Sequence, residues 1–219
     1  MPLTIACDFD GTITRLDTID AILENFALPA WEDVESEWKA GRIGSRECLA
    51  GQTDLLRVDP ATLDAFIDGL EFDADAAGFF ADCKASGLAV QVVSDGYDWV
   101  VRRVLSRMGV TGVPIIANRL THLGDDRWAA RFPYSAPQCG SGVCKCSVVK
   151  SARRKVHIGD GRSDACAADG ADIVFAKGWL LESRNKRGLA SIPFDSFAEI
   201  RALLPMVEDL SRVAAQKIA

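Results

Sequence analysis

Short apolar runs, each followed by polar residues or glycine, recur along the 219-residue chain. Runs of this kind are typical of strands that are buried on both faces of a sheet. Helical apolar spacing separates most of them, and the segment Tyr97–Met108 is the clearest example. The alternation predicts an α/β fold in which helices cover both faces of a parallel sheet. The predicted strands are Leu3–Phe9, Leu88–Val93, Val113–Ala117, Lys155–Ile158 and Asp172–Ala176.

A long helical segment interrupts this alternation early in the chain. Residues 10–87 separate the first two predicted strands, whereas a parallel crossover needs only about a dozen residues. Most of the extra length has apolar residues at helical spacing. We therefore predict a core formed by residues 1–16 and 71–219, and a helical cap formed by residues 17–70.

Two further segments stand apart from the alternation. Arg119–Tyr134 has alternating residues around the turn Gly124-Asp125-Asp126, which predicts a β-hairpin. Apolar spacing in Phe197–Ala219 predicts a C-terminal helix. Pro205 is expected to interrupt that helix, because proline removes a helical hydrogen bond.

Composition excludes several classes of protein. Apolar residues make up 48% of the chain and charged residues 26%, which is ordinary for a globular protein. No apolar run approaches the ~20 residues that span a bilayer, so we expect no membrane partner. The net charge of -6 argues against nucleic acid as a partner. The sequence is compatible with either a monomer or a homodimer.

The histidine and cysteine counts limit the chemistry. With two histidines, a bound metal is expected to be held by carboxylates, which favours Mg²⁺ over Zn²⁺. Seven cysteines without a secretion signal favour reduced thiols in the cytoplasm. Cys139, Cys144 and Cys146 are close in sequence. A zinc or redox role is not favoured for them, because no fourth ligand is nearby in sequence.

The strongest chemical signal ends the first predicted strand, in the segment Asp8–Thr12. Side chains at positions i and i+2 of a strand share a face, so Asp8 and Asp10 are expected to be neighbours. Two carboxylates this close repel each other unless a proton or a cation intervenes. Gly11 permits a sharp turn, and Thr12 offers a hydroxyl to an anion.

Two other predicted strands end in comparable residues. The second is followed by Ser94-Asp95-Gly96, and the fourth by the segment Gly159–Asp164, which contains Asp160. Each segment alone is compatible with an ordinary turn. Ligands of open α/β sheets bind at the carboxyl ends of the strands, and here three strands bring polar groups to that edge. The sequence therefore predicts a ligand site there.

Four carboxylates at one edge of the sheet repel one another unless positive charge lies between them. Asp8, Asp10, Asp160 and Asp164 would form a negative cluster that Mg²⁺ offsets, and the same ion would attract a phosphate. A lysine is also expected to bind phosphate oxygens. Two lysines precede the fourth strand closely enough, and Lys145 is favoured over Lys150.

These segments resemble the four motifs of the haloacid dehalogenase-like superfamily of phosphohydrolases. The motifs fall in order on Asp8–Thr12, Ser94–Gly96, Lys145 and Gly159–Asp164, across nearly the whole chain. The resemblance implies a Rossmann-like core, and the helical segment resembles the subclass with a small helical cap. Members that cleave carbon–halogen bonds lack an acid at the position of Asp10, so the resemblance implies a phosphatase.

The resemblance also implies a role for each motif residue. Asp8 would be the nucleophile that forms an aspartyl-phosphate, and Asp10 would act as general acid and then as general base. Mg²⁺ would be held by Asp8, the Asp10 carbonyl and Asp160, while Asp164 would support the metal and orient Lys145. The residues placed around the phosphate are Thr12, Ser94, Asp95, Gly96 and Lys145.

Phosphoserine phosphatases are one branch of the superfamily that the chain resembles. They carry a glutamate at the position of Asp17. Their carboxylate-binding arginine falls on Gln52 here, which has no charge to offer a carboxylate; Arg46 or Arg57 could compensate. Asp17 and Gln52 are therefore the expected substrate-binding positions.

The enol-phosphate phosphatases of methionine salvage are the second branch. They resemble this chain in Arg42–Glu47, in the cysteine-rich approach to Lys145 and in Phe175–Glu182. We place the chain nearest to this branch, as a phosphatase of a small phosphorylated metabolite. A function of another class stays open, namely a non-catalytic phosphoacceptor or interaction module. Asp10 argues against it, since a group that activates water shortens the lifetime of an aspartyl-phosphate.

Overall fold

One seven-stranded sheet organises the fold. The computed structural model describes residues 3–148 and 154–216. The strands are β1 (Leu3–Cys7), β2 (Ala89–Tyr97), β3 (Ile115–Gly124), β4 (Arg127–Arg131), β5 (Arg154–Gly159), β6 (Ile173–Ala176) and β7 (Ile192–Pro193). They lie in the order β4-β3-β2-β1-β5-β6-β7, and the described pairs are parallel except for the β3–β4 hairpin. The predicted parallel sheet and the predicted hairpin are both confirmed.

Helices connect most of these strands. They are α1 (Thr18–Phe26), α2 (Trp31–Lys39), α3 (Ser45–Asp54), α4 (Pro60–Asp68), α5 (Ala76–Ala85), α6 (Asp98–Arg107), α7 (Lys145–Val148), α8 (Ala165–Asp169), α9 (Gly178–Lys186) and α10 (Phe197–Gln216). A single 3₁₀ turn, Arg162–Asp164, leads into α8. In the part of the chain that the structure describes, no helix has the length and apolar character needed to cross a bilayer.

Local signals start the helices between β1 and β2. The Asp17 carboxylate accepts the backbone N–H groups of Ile19 and Asp20 and so caps α1. Asp59 caps α4 in the same way, and proline follows it as the first helical residue. Helices α1–α4 occupy the segment in which the sequence predicts a helical cap. The division into core and cap at residues 17–70 stays a prediction.

The hydrophobic core lies on both faces of the central strand. Ile5 and Cys7 of β1 belong to the large cluster that also contains residues of α5, α6 and α10. Ala6 points to the opposite face, where it packs with Val93 and Val143. Alternation along β1 thus buries both faces, which explains why its sequence is almost continuously apolar.

Several strand boundaries differ from the predicted ones, and two of the differences bear on the site. β1 ends at Cys7 instead of Phe9, because the Phe9 carbonyl accepts the backbone N–H groups of the three residues Thr12–Thr14 in a tight turn. β2 continues beyond Val93 to Tyr97, so Ser94–Gly96 lie within the strand and not after it. The short strand β7 was not predicted, since two residues carry no periodicity.

The predicted interruption at Pro205 is wrong. α10 runs through this residue, which is exposed. Ile200, Leu204 and Val207 on the same helix are buried against the core. Their packing offsets the one hydrogen bond that proline removes, because tertiary burial contributes most of the stability of a protein helix. Residues 217–219 of the predicted helix lie outside the described residues.

Candidate active site

Three adjacent strands bring the predicted residues to one edge of the sheet. β2, β1 and β5 are neighbours and run parallel. The Asp8 backbone N–H donates to the Ile158 carbonyl at 2.9 Å, so β1 is still held to β5 where the acidic segment begins. Ser94 lies in the last part of β2, and Asp160 directly follows β5. Parallel pairing therefore places groups from all three strands side by side.

A buried lysine bridges two of the predicted carboxylates. Lys145 Nζ donates to Asp8 Oδ1 at 2.6 Å and to Asp164 Oδ1 at 2.8 Å. The three residues are between 0% and 4% exposed. Charges removed from water in this way are stable only when they are paired and hydrogen-bonded. Lys150, the other lysine considered from sequence, lies outside the described residues.

The two carboxylates that contact Lys145 have pKa values shifted in opposite directions. Burial alone would raise the pKa of Asp164, but Lys145 and a hydrogen bond from His157 outweigh it and hold that pKa far below its usual range. Burial and the nearby Asp164 charge raise the pKa of Asp8, and Lys145 only partly offsets them. Burial also disfavours the charged form of Lys145, yet the two carboxylates raise its pKa. Lys145 is therefore a permanent cation in this site.

His157 is a member of the site that sequence reasoning missed. Its Nε2 lies 3.0 Å from Asp164 Oδ1, and the ring is 2% exposed. The backbone N–H groups of Asp160 and Gly161 donate to Asp164 Oδ2 at 3.3 and 3.0 Å. Asp164 is thus held from several directions. A sequence signal was available. His157 lies two residues before Gly159, where the acidic segment of β5 begins, so the two positions share a face of the strand.

Asp10 lies in different surroundings from Asp8. Its Oδ1 accepts the backbone N–H of Thr18 at 3.0 Å and the Thr18 hydroxyl at 2.5 Å, and its Oδ2 accepts the Ser94 hydroxyl at 3.1 Å. Burial raises the pKa of Asp10, although these three hydrogen bonds partly counteract it. The contact with Thr18 links the acidic segment to the first turn of α1. Sequence reasoning did not include Thr18.

Glycine is required at two positions because carboxylates approach the backbone. A Cβ on Gly96 would lie 2.5 Å from Asp10 Oδ2 and 3.0 Å from Ser94 Oγ. Gly11 has a φ of +68°, and a Cβ there would lie 2.4 Å from Asp160 Oδ2. The Thr12 hydroxyl donates to Asp160 Oδ1 at 2.8 Å. Thr12 is therefore engaged with a carboxylate, and its predicted part in phosphate binding stays a prediction.

Asp95 connects three segments around the site. Its carboxylate accepts the Ser45 hydroxyl at 3.0 Å and the backbone N–H of Val143 at 2.8 Å. The Asn118 side chain donates to the Asp95 carbonyl at 2.6 Å. Asp95 therefore ties α3 and the loop before α7 to the end of β2. Its predicted part in phosphate binding stays a prediction.

A cavity of about 440 Å³ opens over the acidic segment. Asp17 lines it, and its pKa is raised to about 7 by crowding of protein atoms around the carboxyl and by the charges of Asp10 and Asp20, although part of the side chain is exposed. Lys177 Nζ also faces this cavity and donates to the Thr12 carbonyl at 3.3 Å. The lining residues are Asp10, Gly11, Arg15, Leu16, Asp17, Asp160, Lys177 and Gly178.

Gln52 is not among the residues that line this cavity. Its side chain is buried and donates to Glu35 Oε2 at 2.9 Å. Of the two predicted substrate-binding positions, Asp17 faces the cavity, whereas Gln52 is engaged within the helical segment. Arg57 donates to the backbone carbonyls of Asp54 and Leu56, so it is also held locally.

The site contains a set of donors that suits a divalent cation. Carboxylate oxygens of Asp8, Asp160 and Asp164 lie within 4.8 Å of one another. Carboxylate oxygen is the donor type that Mg²⁺ prefers. The Asp10 carboxylate is engaged by Thr18 and Ser94, which leaves its carbonyl as the predicted ligand. The residues present therefore fit Mg²⁺.

Comparisons with known proteins agree with this geometry. A model of the haloacid dehalogenase-like hydrolase family matches residues 5–169. A 2-hydroxy-3-keto-5-methylthiopentenyl-1-phosphate phosphatase from Geobacillus kaustophilus (strain HTA426) is 32% identical over 218 residues, covering 94% of this chain and 97% of that protein. A protein of the same name from Brevibacillus brevis (strain 47) is 29% identical, with 94% and 96% covered.

Solved structures of phosphoserine phosphatase share the fold. A substrate-bound complex superposes with a TM-score of 0.68 at 19% identity, covering 91% of this chain and 97% of that one. A phospho-aspartyl intermediate analogue superposes with a TM-score of 0.65 at 19% identity, with 93% and 97% covered.

Fold and site together define the class of protein. A parallel sheet with helices on both faces carries a buried aspartate–lysine pair and further aspartates at the carboxyl edge of its strands. This arrangement is that of an α/β protein of Rossmann-like fold with an acidic site. The chain belongs to the haloacid dehalogenase-like hydrolase family. The family and the enzyme class predicted from the motifs are confirmed.

Proposed function

We propose that the protein is an Mg²⁺-dependent phosphomonoesterase that acts on a small phosphorylated metabolite through an aspartyl-phosphate on Asp8. The contact between Asp8 and Lys145, 2.6 Å long and buried, carries this proposal. A carboxylate in this position can attack phosphorus while the lysine stabilises the phosphoryl oxygens. Ser94 and Gly96 lie beside Asp10 and would contribute further donors to the same phosphoryl group.

Asp10 is the proposed general acid and general base. Its raised pKa favours the protonated form, from which a proton can pass to the leaving oxygen as the P–O bond breaks. The carboxylate left behind can then take a proton from the water that attacks the aspartyl-phosphate. Thr18 and Ser94 hold Asp10, whereas Lys145 holds Asp8, so each of the two aspartates has its own task.

Asp8, Asp160 and the Asp10 carbonyl would hold the magnesium ion, with support from Asp164. When bound, Mg²⁺ supplies positive charge that polarises the phosphoryl group. Asp164 also contacts Lys145 at 2.8 Å, so it orients the lysine toward Asp8. Thr12 orients Asp160 through its hydroxyl.

The substrate is proposed to be an enol-phosphate of the kind named for the relatives from Geobacillus and Brevibacillus. Similarity along almost the whole chain supports this choice. A phosphoserine substrate is less well supported, because Gln52 is buried against Glu35 and offers no positive charge to a carboxylate. Asp17 at the cavity stays the proposed substrate-facing position.

An intracellular location belongs to the same proposal. The seven cysteines form no disulfide with one another, which is usual in a reducing compartment. The small-metabolite partner is supported by the cavity of about 440 Å³ over Asp10 and Asp160. The alternative of a non-catalytic phosphoacceptor would require a long-lived phosphoaspartate, which a properly placed Asp10 opposes.

Hydrolysis of p-nitrophenyl phosphate tests the proposed reaction. We expect turnover with Mg²⁺ and almost none after chelation with EDTA, since the aspartate cluster needs a compensating cation. A panel of phosphorylated metabolites that includes phosphoserine and the enol-phosphate then ranks substrates by kcat/KM. Folded protein without metal-dependent turnover on any of these esters would refute the phosphatase proposal.

The matched variants are Asp8→Asn and Asp10→Asn. Asp8→Asn should abolish turnover and leave no phosphoenzyme, because the amide cannot act as the nucleophile. Asp10→Asn should slow turnover by about 10²–10⁴-fold while still allowing phosphate transfer to Asp8 from an activated ester. Substantial activity of Asp8→Asn would mean that another residue is the nucleophile.

A further inference from the structure

Four cysteines, three of them close in sequence, form a line of thiols beside the proposed active site. The Cys144 and Cys146 Sγ atoms are 3.5 Å apart. The thiol of Cys139 lies next to that of Cys144, and the thiol of Cys166 lies next to that of Cys146. Cys166 is exposed, Cys146 is half-buried and Cys144 is 1% exposed. The line therefore runs from the surface into the protein.

The residue between Cys144 and Cys146 is Lys145. Its Nζ holds Asp8 and Asp164 with contacts of 2.6 and 2.8 Å. Hydrogen bonds of this type weaken beyond about 3.2 Å. A displacement of the Lys145 ammonium by more than about 0.6 Å would therefore weaken both contacts.

We propose that Cys144 and Cys146 form a disulfide when the protein meets hydrogen peroxide, and that this modification displaces Lys145 and stops phosphate binding. The two Sγ atoms would have to move from 3.5 Å to about 2.05 Å apart, with their Cβ atoms about 3.8 Å apart. Lys145 lies inside the small ring that this bond closes, and the proposal requires that closing the ring shift the Lys145 ammonium. The inference rests on the proposed function, because it assigns Lys145 to the phosphate.

Cys166 is the proposed entry point. Its exposed thiolate attacks one peroxide oxygen, the O–O bond breaks, and a sulfenic acid and hydroxide form. The Cys146 thiol attacks that sulfur and the hydroxyl leaves as water, which forms a Cys146–Cys166 disulfide. Cys144 then attacks the Cys146 sulfur and releases Cys166 as a thiolate. In total two thiols lose two electrons and two protons, and one peroxide becomes two waters.

Hydrogen bonding supports Cys144 as the final nucleophile. Burial alone would raise its pKa, but interactions with Ser147 and with the neighbouring thiols outweigh this and lower it. The pKa of Cys146 is raised to about 12, so its attack on the Cys166 sulfenic acid is the slow step and Cys144 is the better thiolate of the two. The four thiols also do not surround a common point. Among the described residues, a set of three or more ligand atoms within 4.8 Å of one another occurs only in the aspartate cluster.

Peroxide treatment of the reduced full-length protein tests the modification. Peroxide is removed with catalase, remaining thiols are alkylated, and peptides are mapped by mass spectrometry. We expect a Cys144–Cys146 disulfide, and a loss of kcat/KM for p-nitrophenyl phosphate of about 100-fold that dithiothreitol reverses. Binding of inorganic phosphate with Mg²⁺, measured by calorimetry, should weaken in parallel.

Two variants give the controls. Cys146→Ser keeps Lys145 and should resist inactivation, with basal turnover close to that of the unmodified protein. Cys166→Ser should lose activity more slowly but reach the same disulfide. A disulfide elsewhere, unchanged phosphate binding after oxidation, or equal inactivation of Cys146→Ser would overturn the proposal. So would one tightly held zinc ion per chain that thiol reagents release.

Peptide mapping and phosphate binding do not depend on turnover. If the reduced protein lacks metal-dependent turnover, the proposed phosphatase reaction fails. A mapped Cys144–Cys146 disulfide that weakens phosphate binding would still support the modification. The two failures are therefore distinguishable.

Discussion

Asp164 is the residue on which the candidate site depends most, although it faces Lys145 and not the cavity. Its carboxylate accepts Lys145, His157 and two backbone N–H groups. It is fully buried and its pKa is held far below the usual range. A carboxylate with so many donors has one available orientation. Lys145 is consequently directed at Asp8 by a partner that cannot rotate away.

His157 is therefore expected to be a positioning residue. His157→Phe should remove one donor to Asp164 and lower kcat about tenfold, because partners behind a ligand commonly contribute 10–100-fold. KM for p-nitrophenyl phosphate should change much less than kcat. Steady-state kinetics at saturating Mg²⁺ provides the measurement.

The matched variant for this test is His157→Gln, whose amide N–H can reach the place of the ring Nε2. It should recover most of the lost kcat, whereas a residue needed only for its volume would be rescued equally well by phenylalanine. Equal kcat for the phenylalanine and glutamine variants would contradict the positioning role.

At the scale of secondary-structure elements, the start of α3 and the loop before α7 form the joint that supports Lys145. The backbone N–H of Arg46 donates to the Gly140 carbonyl at 2.9 Å. Ser45 and Val143 both donate to Asp95, from α3 and from the loop. The helical segment and the lysine-bearing loop are thus connected through the end of β2.

Close backbone approach at this joint predicts an asymmetric response to alanine. A Cβ on Gly44 would lie 2.9 Å from the Gly140 carbonyl oxygen, whereas a Cβ on Gly140 would lie 3.6 Å from the Gly44 Cα. Gly44→Ala should therefore lower the free energy of unfolding by about 1–3 kcal/mol. Gly140→Ala should change it by less than about 1 kcal/mol.

Urea denaturation measures the difference in free energy of unfolding between the two variants. The value of kcat/KM shows whether the structural change also disturbs Lys145. Gly44→Ala should also lower kcat/KM, since the clash separates α3 from the loop that leads into α7. Equal free energies of unfolding for the two variants would mean that Gly44 and Gly140 can move apart without loss of stability, so this contact does not constrain the loop.

On the scale of the whole molecule, several of the carboxylates that contribute to the net charge of -6 are buried or half-buried at the candidate site, where their ionisation destabilises the metal-free protein. Burial raises the pKa of Asp8, Asp10 and Asp160, and that of Asp17 rises to about 7. Each of these carboxyls holds its proton to a higher pH in the folded state than in the unfolded state. Folding of the metal-free protein therefore becomes less favourable as the pH rises through this range.

The expected outcome is a melting temperature that falls between about pH 5 and about pH 7.5 in EDTA, because these groups must ionise inside the protein. The pKa of Asp164 is lowered instead of raised. Its effect on stability is therefore confined to pH values below the ordinary aspartate pKa of about 4. Mg²⁺ should raise the melting temperature more at the higher pH, where protons no longer compete for the carboxylates.

Differential scanning fluorimetry with Mg²⁺ or EDTA provides the measurement. Asp160→Asn is the control, since it removes one proposed ligand and one buried charge and should reduce both effects. A melting temperature in EDTA that rises with pH across this range would contradict the assignment of buried, uncompensated carboxylates.

Local patterns determined the elements and the motif positions of this protein. Apolar runs predicted β1, β2, β5 and β6 because burial on both faces leaves a continuous signature. Aspartate, serine and glycine after those runs marked the edge where ligands bind. The C-terminal helix was recognised in the same way, whereas the interruption at Pro205 was not, because packing of the apolar face outweighs one missing hydrogen bond.

Only the tertiary structure decided which groups meet. Residues distant in sequence meet in the contact of His157 with Asp164, in that of Gln52 with Glu35, and in the line of thiols from Cys166 to Cys144. Periodicity reports which face of an element is buried, but not which side chain of another element lies opposite. Side-chain pairing and desolvation set the charges of this site, and both depend on the packed neighbours that folding supplies.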